Sequence, residues 1–492
     1  MSARLDAWAR NLATPARWSL AGLAGLLNGA AFIDLGPLAL IANVPLLVAL
    51  RAAPRASLAA GLGGFVGLLG GVHIYGVLDY GWLLFAGFSL YTASQMVLYA
   101  LLLRALDGRA GRWFDVALPA LVWTLTEWIR TVGPLAMPAS YVGCIADDAA
   151  LRPLLALAPV TGGLGVSTLV ALTQSAIFHL LFSHARHRAP AAAALGLVIA
   201  VGIWGAADPP PLGERPITVA AVQGGLVNTQ YAAARADAAA MRDIVRTYET
   251  LTQRAYARGV DLVVWPETAV RAPVLETRGL RDRLFPPAGA RSHLVAGLLY
   301  EDHDGHTFNL AVAVEPGGAT PAFYAKKRLV PNAESHLTAG PAWRPIATKV
   351  GRLGVLICLE SVYPDAGRAL TAGGAEMLLV MSNDAGFGWS PISRHMIGRA
   401  IVRAVENGRW LLRVGQAGLT TLIDPTGATH GRLGLFVPDV LYGEARLRDD
   451  LTLFTRWGDW WMGVVALLLG VATLLGLRAR RAERANAAPA PR

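Results

Sequence analysis

The chain of 492 residues is 54% hydrophobic and 16% charged, with a mean hydropathy of +0.42, which is too apolar for an ordinary soluble protein and matches several membrane spans. Its formal net charge of +10 does not call for nucleic acid, because much of the arginine excess lies in short loops between apolar runs, where it sets topology. Two cysteines, Cys144 and Cys358, lie far apart and outside any metal-ligand spacing, which excludes a disulfide framework and a zinc site.

The N-terminus shows no cleavable signal pattern, because the first apolar run leads into more spans. Seven runs, near residues 18–34, 36–50, 57–77, 81–103, 114–133, 160–183 and 190–206, are expected to cross the membrane, and an eighth covers 459–477. The second is short and barely separated from the first. Alternate loops are basic: Arg4, Arg10 and Arg17; Arg51 and Arg55; Arg104, Arg109 and Arg112; His184, Arg186, His187 and Arg188; and finally Arg478, Arg480, Arg481 and Arg484. The other loops carry Asp34, Asp79, Asp147 and Asp148 instead. Positive loops stay cytoplasmic, so both termini are expected inside and the segment between spans seven and eight outside, which in a Gram-negative cell is the periplasmic face of the inner membrane. Trp457, Trp460 and Trp461 fit an interfacial belt at the start of the last span. Glu127 and Arg130, three residues apart at the end of span five, read as a structural ion pair ahead of a lipid-headgroup contact.

Asp208-Pro209-Pro210-Pro211 marks the exit from the membrane. From about 216 to 447 the pattern becomes short strands alternating with helices. Strands are expected at 217–222, 261–265, 293–299, 308–314, 320–325, 353–358, 376–381, 409–414 and 419–423. Helices are expected at 231–258, stopping at Gly259, and at 392–407, stopping at Gly408. Gly317-Gly318 joins two of the strands, and the Ala/Pro/Arg tail after 481 reads as disordered. The alternation argues for an α/β layered domain. The expected division is a membrane domain over 1–210, a catalytic domain over 211–450, and a last span with a basic tail over 451–492.

Three strand ends carry chemistry. Glu267 follows Val263-Val264-Trp265-Pro266, Lys326 follows Phe323-Tyr324-Ala325, and Cys358 follows Leu353-Gly354-Val355-Leu356-Ile357. A thiol is mostly protonated at neutral pH and needs a base; a buried carboxylate is one. The tetrahedral intermediate then needs a cation or donor for its oxyanion. Taken singly, the cysteine reads as a small core residue, the glutamate as a helix N-terminal charge and the lysine as a solvated edge. His395, Arg399 and Arg403 share one helical face, where pairing with Asp384 or Glu406 is the favoured reading over phospholipid headgroup binding; arginine excludes a metal site there.

Together the segments resemble the nitrilase superfamily. Its base motif is similar to Trp265-Pro266-Glu267, its lysine motif to the run from Tyr324 to Pro331, its nucleophile motif to the run from Gly354 to Glu360, and its later motif to Ser382-Asn383-Asp384-Ala385. The resemblance implies an α-β-β-α sandwich with Glu267, Lys326 and Cys358 as the triad, Lys326 being preferred to Lys327 because the family lysine stands two residues after the aromatic. With the spans included, the chain resembles the apolipoprotein N-acyltransferase family, through Leu118-Pro119-Ala120-Leu121, Glu127-Trp128-Ile129-Arg130 and Val222-Gln223-Gly224. That likeness implies transfer of an acyl chain from a phospholipid, through a thioester on Cys358, to the N-terminal amine of a diacylglyceryl-cysteine lipoprotein. It implies no cofactor, no metal and no nucleic acid. Glu334, Asn309 and Glu360 match supporting residues of the family site, as structural hydrogen-bonding groups or as direct participants.

Three departures fall in loops near the mouth. Leu359 stands where the family commonly has an aromatic, Gly386-Phe387-Gly388 where it has Trp-Phe-Gly, and Asn332-Ala333-Glu334-Ser335 where it has Phe-Gly-Glu and an aromatic. They keep open a divergent, membrane-tethered amidase of nitrilase type, or an acyltransferase for another amine.

Overall fold

The computed structural model describes residues 2–33, 35–71, 77–78, 81–106, 111–133, 136, 141–317, 321–331 and 333–487. Asp34, Asp79, Arg109, Gly318 and Asn332, named above, lie outside these residues, as does the end of the tail from 488. The chain separates into two compact units, one formed by Met1–Asp208 with Asp459–Arg492, the other by Pro209–Gly458.

The first unit is helical. Among the described residues, four of its helical stretches are long and apolar enough to cross a membrane: Trp82–Leu106, Arg152–Phe182, Ala185–Ala207 and Trp460–Ala479. Gly36–Leu50 and Ala56–Gly70 are shorter apolar stretches. The expected span at 36–50 is not one helix. A 3₁₀ segment, Gly36–Leu40, and an α-helix, Val44–Leu50, are separated by a turn, and each has proline at its start. Proline suits a first helical turn and breaks an interior one, so Pro45 forces the chain to restart. Asn43 at that break is fully covered by protein and accepts from Asn28 Nδ2 at 2.9 Å. Glu127 is likewise covered, and its Oε1 accepts from Trp123 Nε1 at 2.7 Å and from the backbone N–H of Tyr141 at 3.0 Å. The carboxylate thus holds the start of the short helix Tyr141–Ile145. Of the tryptophans assigned to an interfacial belt, two turn their indole N–H groups inward. Trp460 donates to the Val160 carbonyl at 2.7 Å and Trp461 to Thr168 Oγ1 at 3.0 Å, tying the last helix to Ala158–Phe182.

The second unit is a two-sheet sandwich. Its strands are β1 (Arg215–Gln223), β2 (Leu262–Val264), β3 (His293–Glu301), β4 (Thr307–Val314), β5 (Ala322–Ala325), β6 (Ile346–Ala347), β7 (Arg352–Ile357), β8 (Met377–Ser382), β9 (Leu411–Gly415), β10 (Thr421–Ile423), β11 (Thr429–Arg432) and β12 (Asp439–Leu447). One sheet runs β12-β1-β2-β3-β4-β5 and the other β11-β10-β9-β8-β7-β6. Alternation along β1 explains the layering. Val219 and Ala221 point to the second sheet, against Val355, Leu379 and Leu412. Ala220 and Val222 point the other way, to Ile244, Tyr248 and Leu251 of the helix Ala238–Ala257. The second sheet is covered on its far side by Pro364–Ala372 and Ile392–Asn407. The result is helix, sheet, sheet, helix.

The expected helix over 231–258 is two helices. Asn228–Ala236 stops at Asp237, whose extended backbone and side chain cap the next helix by accepting from Ala239 N at 2.7 Å. β12 is the longest strand absent from the sequence reading, and it pairs antiparallel with all of β1, from Arg215↔Leu447 to Gln223↔Asp439.

Candidate active site

The central strands of the two sheets run parallel, β1–β2–β3 and β7–β8–β9, and their C-terminal ends gather the polar groups. β2 ends at Val264, and Trp265-Pro266-Glu267 follows. Trp265 is fully buried and donates to Thr252 Oγ1 at 2.9 Å, which anchors the segment carrying the glutamate. Gly297 of β3 lies under it: a Cβ there would sit 2.1 Å from the Pro266 carbonyl and 2.8 Å from Glu267 Cα. Lys326 follows β5 and is wholly buried. Its own N–H donates to the Asn309 carbonyl at 2.9 Å, and its carbonyl accepts from Gly340 N at 2.8 Å.

These groups form one network. Lys326 Nζ donates to Glu267 Oε1 at 3.0 Å and to Glu334 Oε1 at 2.8 Å. Asn309 Nδ2 donates to the same two atoms, at 2.8 and 3.4 Å. Glu267 Oε2 accepts from the backbone N–H of Asn383 at 3.0 Å, and Glu334 Oε2 from that of Val330 at 2.7 Å. A lysine has three N–H donors. Two are taken by the carboxylates, so one remains among the described contacts for a ligand oxygen. Burial works against the Lys326 charge, but the negative charges of Glu267, of Cys358 once ionised and of Glu334 outweigh it, and the lysine pKa is raised. The ammonium is therefore permanent at any pH the protein meets.

Cys358 ends β7 and opens the 3₁₀ turn Cys358–Val362. Its φ is +51°, a left-handed conformation that costs a non-glycine residue about 1–3 kcal/mol. The residue as a whole is partly exposed. The surrounding protein nevertheless shields the thiol and pushes its pKa well up; Glu267 adds to the rise, and Lys326 opposes it. The resting nucleophile is thus a neutral thiol, and its proton has to leave as it attacks.

Glu360, two residues on, faces a different set of donors. Its Oε1 accepts from Tyr324 OH at 2.7 Å, Lys327 N at 3.0 Å, Arg328 N at 3.1 Å and Trp343 Nε1 at 3.1 Å. Its Oε2 accepts from Ile357 N at 2.9 Å. Burial raises the Glu360 pKa, against the pull of the Tyr324 hydroxyl and the backbone donors. Every partner donates, so the group is held as a carboxylate that pins the nucleophile turn to the lysine loop.

The structure therefore joins Glu267, Lys326, Asn309 and Glu334 by hydrogen bonds, sets Cys358 within their electrostatic reach, and gives Glu360 a positioning contact. The Asn383 N–H, Tyr324 and Trp343 were not among the sequence candidates; only the aromatic character of the last two was visible there. Asp384 pairs with Arg413 and Ser382. On the helix Ile392–Asn407, Arg403 Nη2 donates to Glu406 Oε2 at 3.1 Å, the second of the two expected pairings. Asp302, Asp304 and His306 in the β3–β4 turn have ligand-type atoms within 4.8 Å of one another, and the Asp302 carboxylate is engaged by the backbone N–H groups of Asp304 and His306 and by the His306 ring.

Residues 218–449 match the carbon-nitrogen hydrolase family, and residues 24–176 match the apolipoprotein N-acyltransferase N-terminal domain. The chain is 33% identical to an apolipoprotein N-acyltransferase of Azotobacter vinelandii, over 98% of each chain. It is 30% identical to one of Pseudomonas putida, over 93% of this chain and 96% of that one. Among solved structures it is similar to Saccharomyces cerevisiae Nit3, a member of branch 10 of the nitrilase superfamily, with a TM-score of 0.39, 19% identity, and coverage of 48% of this chain and 92% of that one.

Proposed function

The chain belongs to the apolipoprotein N-acyltransferase family, and on that footing we propose that it moves an acyl chain from a phospholipid to the N-terminal amine of a diacylglyceryl-cysteine lipoprotein, through a thioester on Cys358. The observation that carries the reading is the single buried network of Glu267, Lys326, Asn309 and Glu334 beside a cysteine on a left-handed turn.

In the first half-reaction Glu267 takes the thiol proton as Sγ attacks the ester carbonyl carbon. The carbonyl oxygen becomes an oxyanion that accepts from the remaining Lys326 N–H. Collapse restores the carbonyl and breaks the carbon–oxygen bond; the lysophospholipid oxygen leaves with the proton held by Glu267. In the second half-reaction Glu267 removes a proton from the incoming α-ammonium. Once that proton has passed to solvent, the amine attacks the thioester carbon and Lys326 again meets the oxyanion; Glu267 takes the second proton from the nitrogen and gives it to Sγ as the carbon–sulfur bond breaks. Glu334 and Asn309 hold Lys326 and Glu267 at fixed distance throughout, so no side chain has to reorganise as charge develops.

The arginine pattern supports a multi-pass inner-membrane protein with residues 209–458 on the extracytoplasmic side, where lipoprotein N-termini emerge. Membrane spans are superfluous for hydrolysing a soluble amide and useful for a site that meets two lipids. The test is incubation of the purified protein with isotopically labelled phospholipid and a diacylated lipopeptide, followed by mass spectrometry. Triacylated peptide is expected. Labelled free fatty acid without it would contradict the proposal and favour a hydrolase reading, in which water replaces the amine.

A further inference from the structure

The helical unit contains a cavity of about 220 Å³. Four arginines reach it from four separate segments. Arg10 ends the first helix, Arg51 follows Val44–Leu50, Arg104 lies near the end of Trp82–Leu106, and Arg186 sits in the turn Ala185–His187. Two acids face them. Asp6 accepts from Arg10 Nε and from Arg51 Nε, each at 3.1 Å. Asp115 meets His187 Nε2 at 3.1 Å and lies 3.8 Å from Arg186. Among the described residues, four guanidinium groups gather against two carboxylates. Arg10 Nη2 can only donate, so His184 Nε2, at 2.5 Å, is an acceptor and its ring is neutral.

Apart from His179, whose Nε2 pairs with the Asp115 carbonyl at 3.0 Å, the rest of the lining is apolar, including Leu50, Leu103, Leu118 and Phe178. A site for a free inorganic anion needs cations alone. A chamber with guanidinium groups on one side and aliphatic and aromatic carbon on the other suits an amphiphile. Arginines that serve only to fix topology need to be outside the bilayer, not to converge from four segments on one cavity. Guanidinium forks match phosphate oxygens in pairs, and basic pockets between membrane helices hold anionic headgroups.

We propose that this cavity binds the phosphate head of an anionic glycerophospholipid, with the first carbons of its chains against the apolar wall. No thiol or hydroxyl is among the described residues that line the cavity, so the lipid is held there and not consumed.

The experiment uses the full-length protein, delipidated in a neutral detergent and followed by thermal unfolding. The additions are dioleoylphosphatidylglycerol, dioleoylphosphatidylcholine or inorganic phosphate. Phosphatidylglycerol should raise the unfolding temperature at concentrations where the other two leave it unchanged. In the Arg104→Gln/Arg186→Gln double variant the apparent affinity should fall at least about tenfold, through loss of charge-assisted contacts, while the double Lys variant, which keeps the charge but not the fork, should lose less. Should the double Gln variant fail to fold without lipid, each single substitution is read in the same way. Equal shifts with phosphatidylcholine, an equal shift with phosphate alone, or a Gln variant that responds like the wild type would each overturn the proposal.

Discussion

Lys326 holds apart two carboxylates that would otherwise face each other in a buried site. Removing it in Lys326→Ala leaves Glu267 and Glu334 without their cation, which should cost about 3–5 kcal/mol of stability. It should also slow both half-reactions by a factor on the order of 10²–10³, because each passes through an oxyanion that loses a donor. Single-turnover acylation and deacylation rates, with a denaturation curve, check this; loss of one half-reaction alone would remove Lys326 from the other. The raised lysine pKa fixes the sign of its pH linkage. Its contribution to stability is fully present below the ordinary lysine value of 10.5 and is lost only as pH climbs through the higher folded value. Cys358, also raised, favours the neutral thiol in the fold, so its contribution holds below 9.0 and fades above. Alkylation of Cys358 by iodoacetamide should therefore be slow at neutral pH and still rising beyond pH 9.0. A plateau already reached at neutral pH would show a preformed thiolate and displace Glu267 as the base.

At the scale of elements, the site depends on backbone approaches that only glycine allows. Gly297→Ala would place a methyl carbon against the Pro266 carbonyl and Glu267 Cα. The base would be pushed off Lys326 and Asn309, so acyl transfer should fall sharply while the fold survives. Activity assays beside near-UV circular dichroism test this, and wild-type rates in the variant would contradict the geometry. Asp237→Ala should cost about 0.5–2 kcal/mol by removing an N-cap, seen as a lower unfolding midpoint with activity unaltered. The same cap shows where the sequence was hard to read. Asp237 lies among alanines that favour helix on both sides, and only its side-chain bond to Ala239 marks the restart. β1 was legible from its apolar run, but β12 carries Gly443, Glu444 and Arg446, and its strand character comes from pairing with a partner more than two hundred residues away. Glu267, Lys326 and Cys358 were visible because each follows an apolar strand. The Asn383 N–H on Glu267 and the Tyr324 hydroxyl on Glu360 were not, since both contacts arise only when the two sheets come together.

For the whole molecule, a helical unit with four long apolar helical stretches and an α/β unit that carries the thiol explain why one chain needs both parts. Lipid substrates stay in the bilayer, and the acceptor amine is tethered to it. A reporter active only outside the cytoplasm, inserted at Gly317 in the turn after β4, should be active; cytoplasmic activity there would reverse the orientation. Cys144→Ala should leave acyl transfer largely intact, because Cys144 belongs to the helical unit and the glutamate–lysine network to the α/β unit. The central claim is that one sulfur carries the acyl chain between two lipids. Intact-protein mass spectrometry after mixing with phospholipid alone tests it most directly. The wild type should gain the mass of one acyl chain, mapped to Cys358, and lose it to triacylated product on addition of a diacylated lipopeptide, while Cys358→Ala gains nothing and makes no product. Product formation by Cys358→Ala, or an adduct that the lipopeptide does not discharge, would contradict the account.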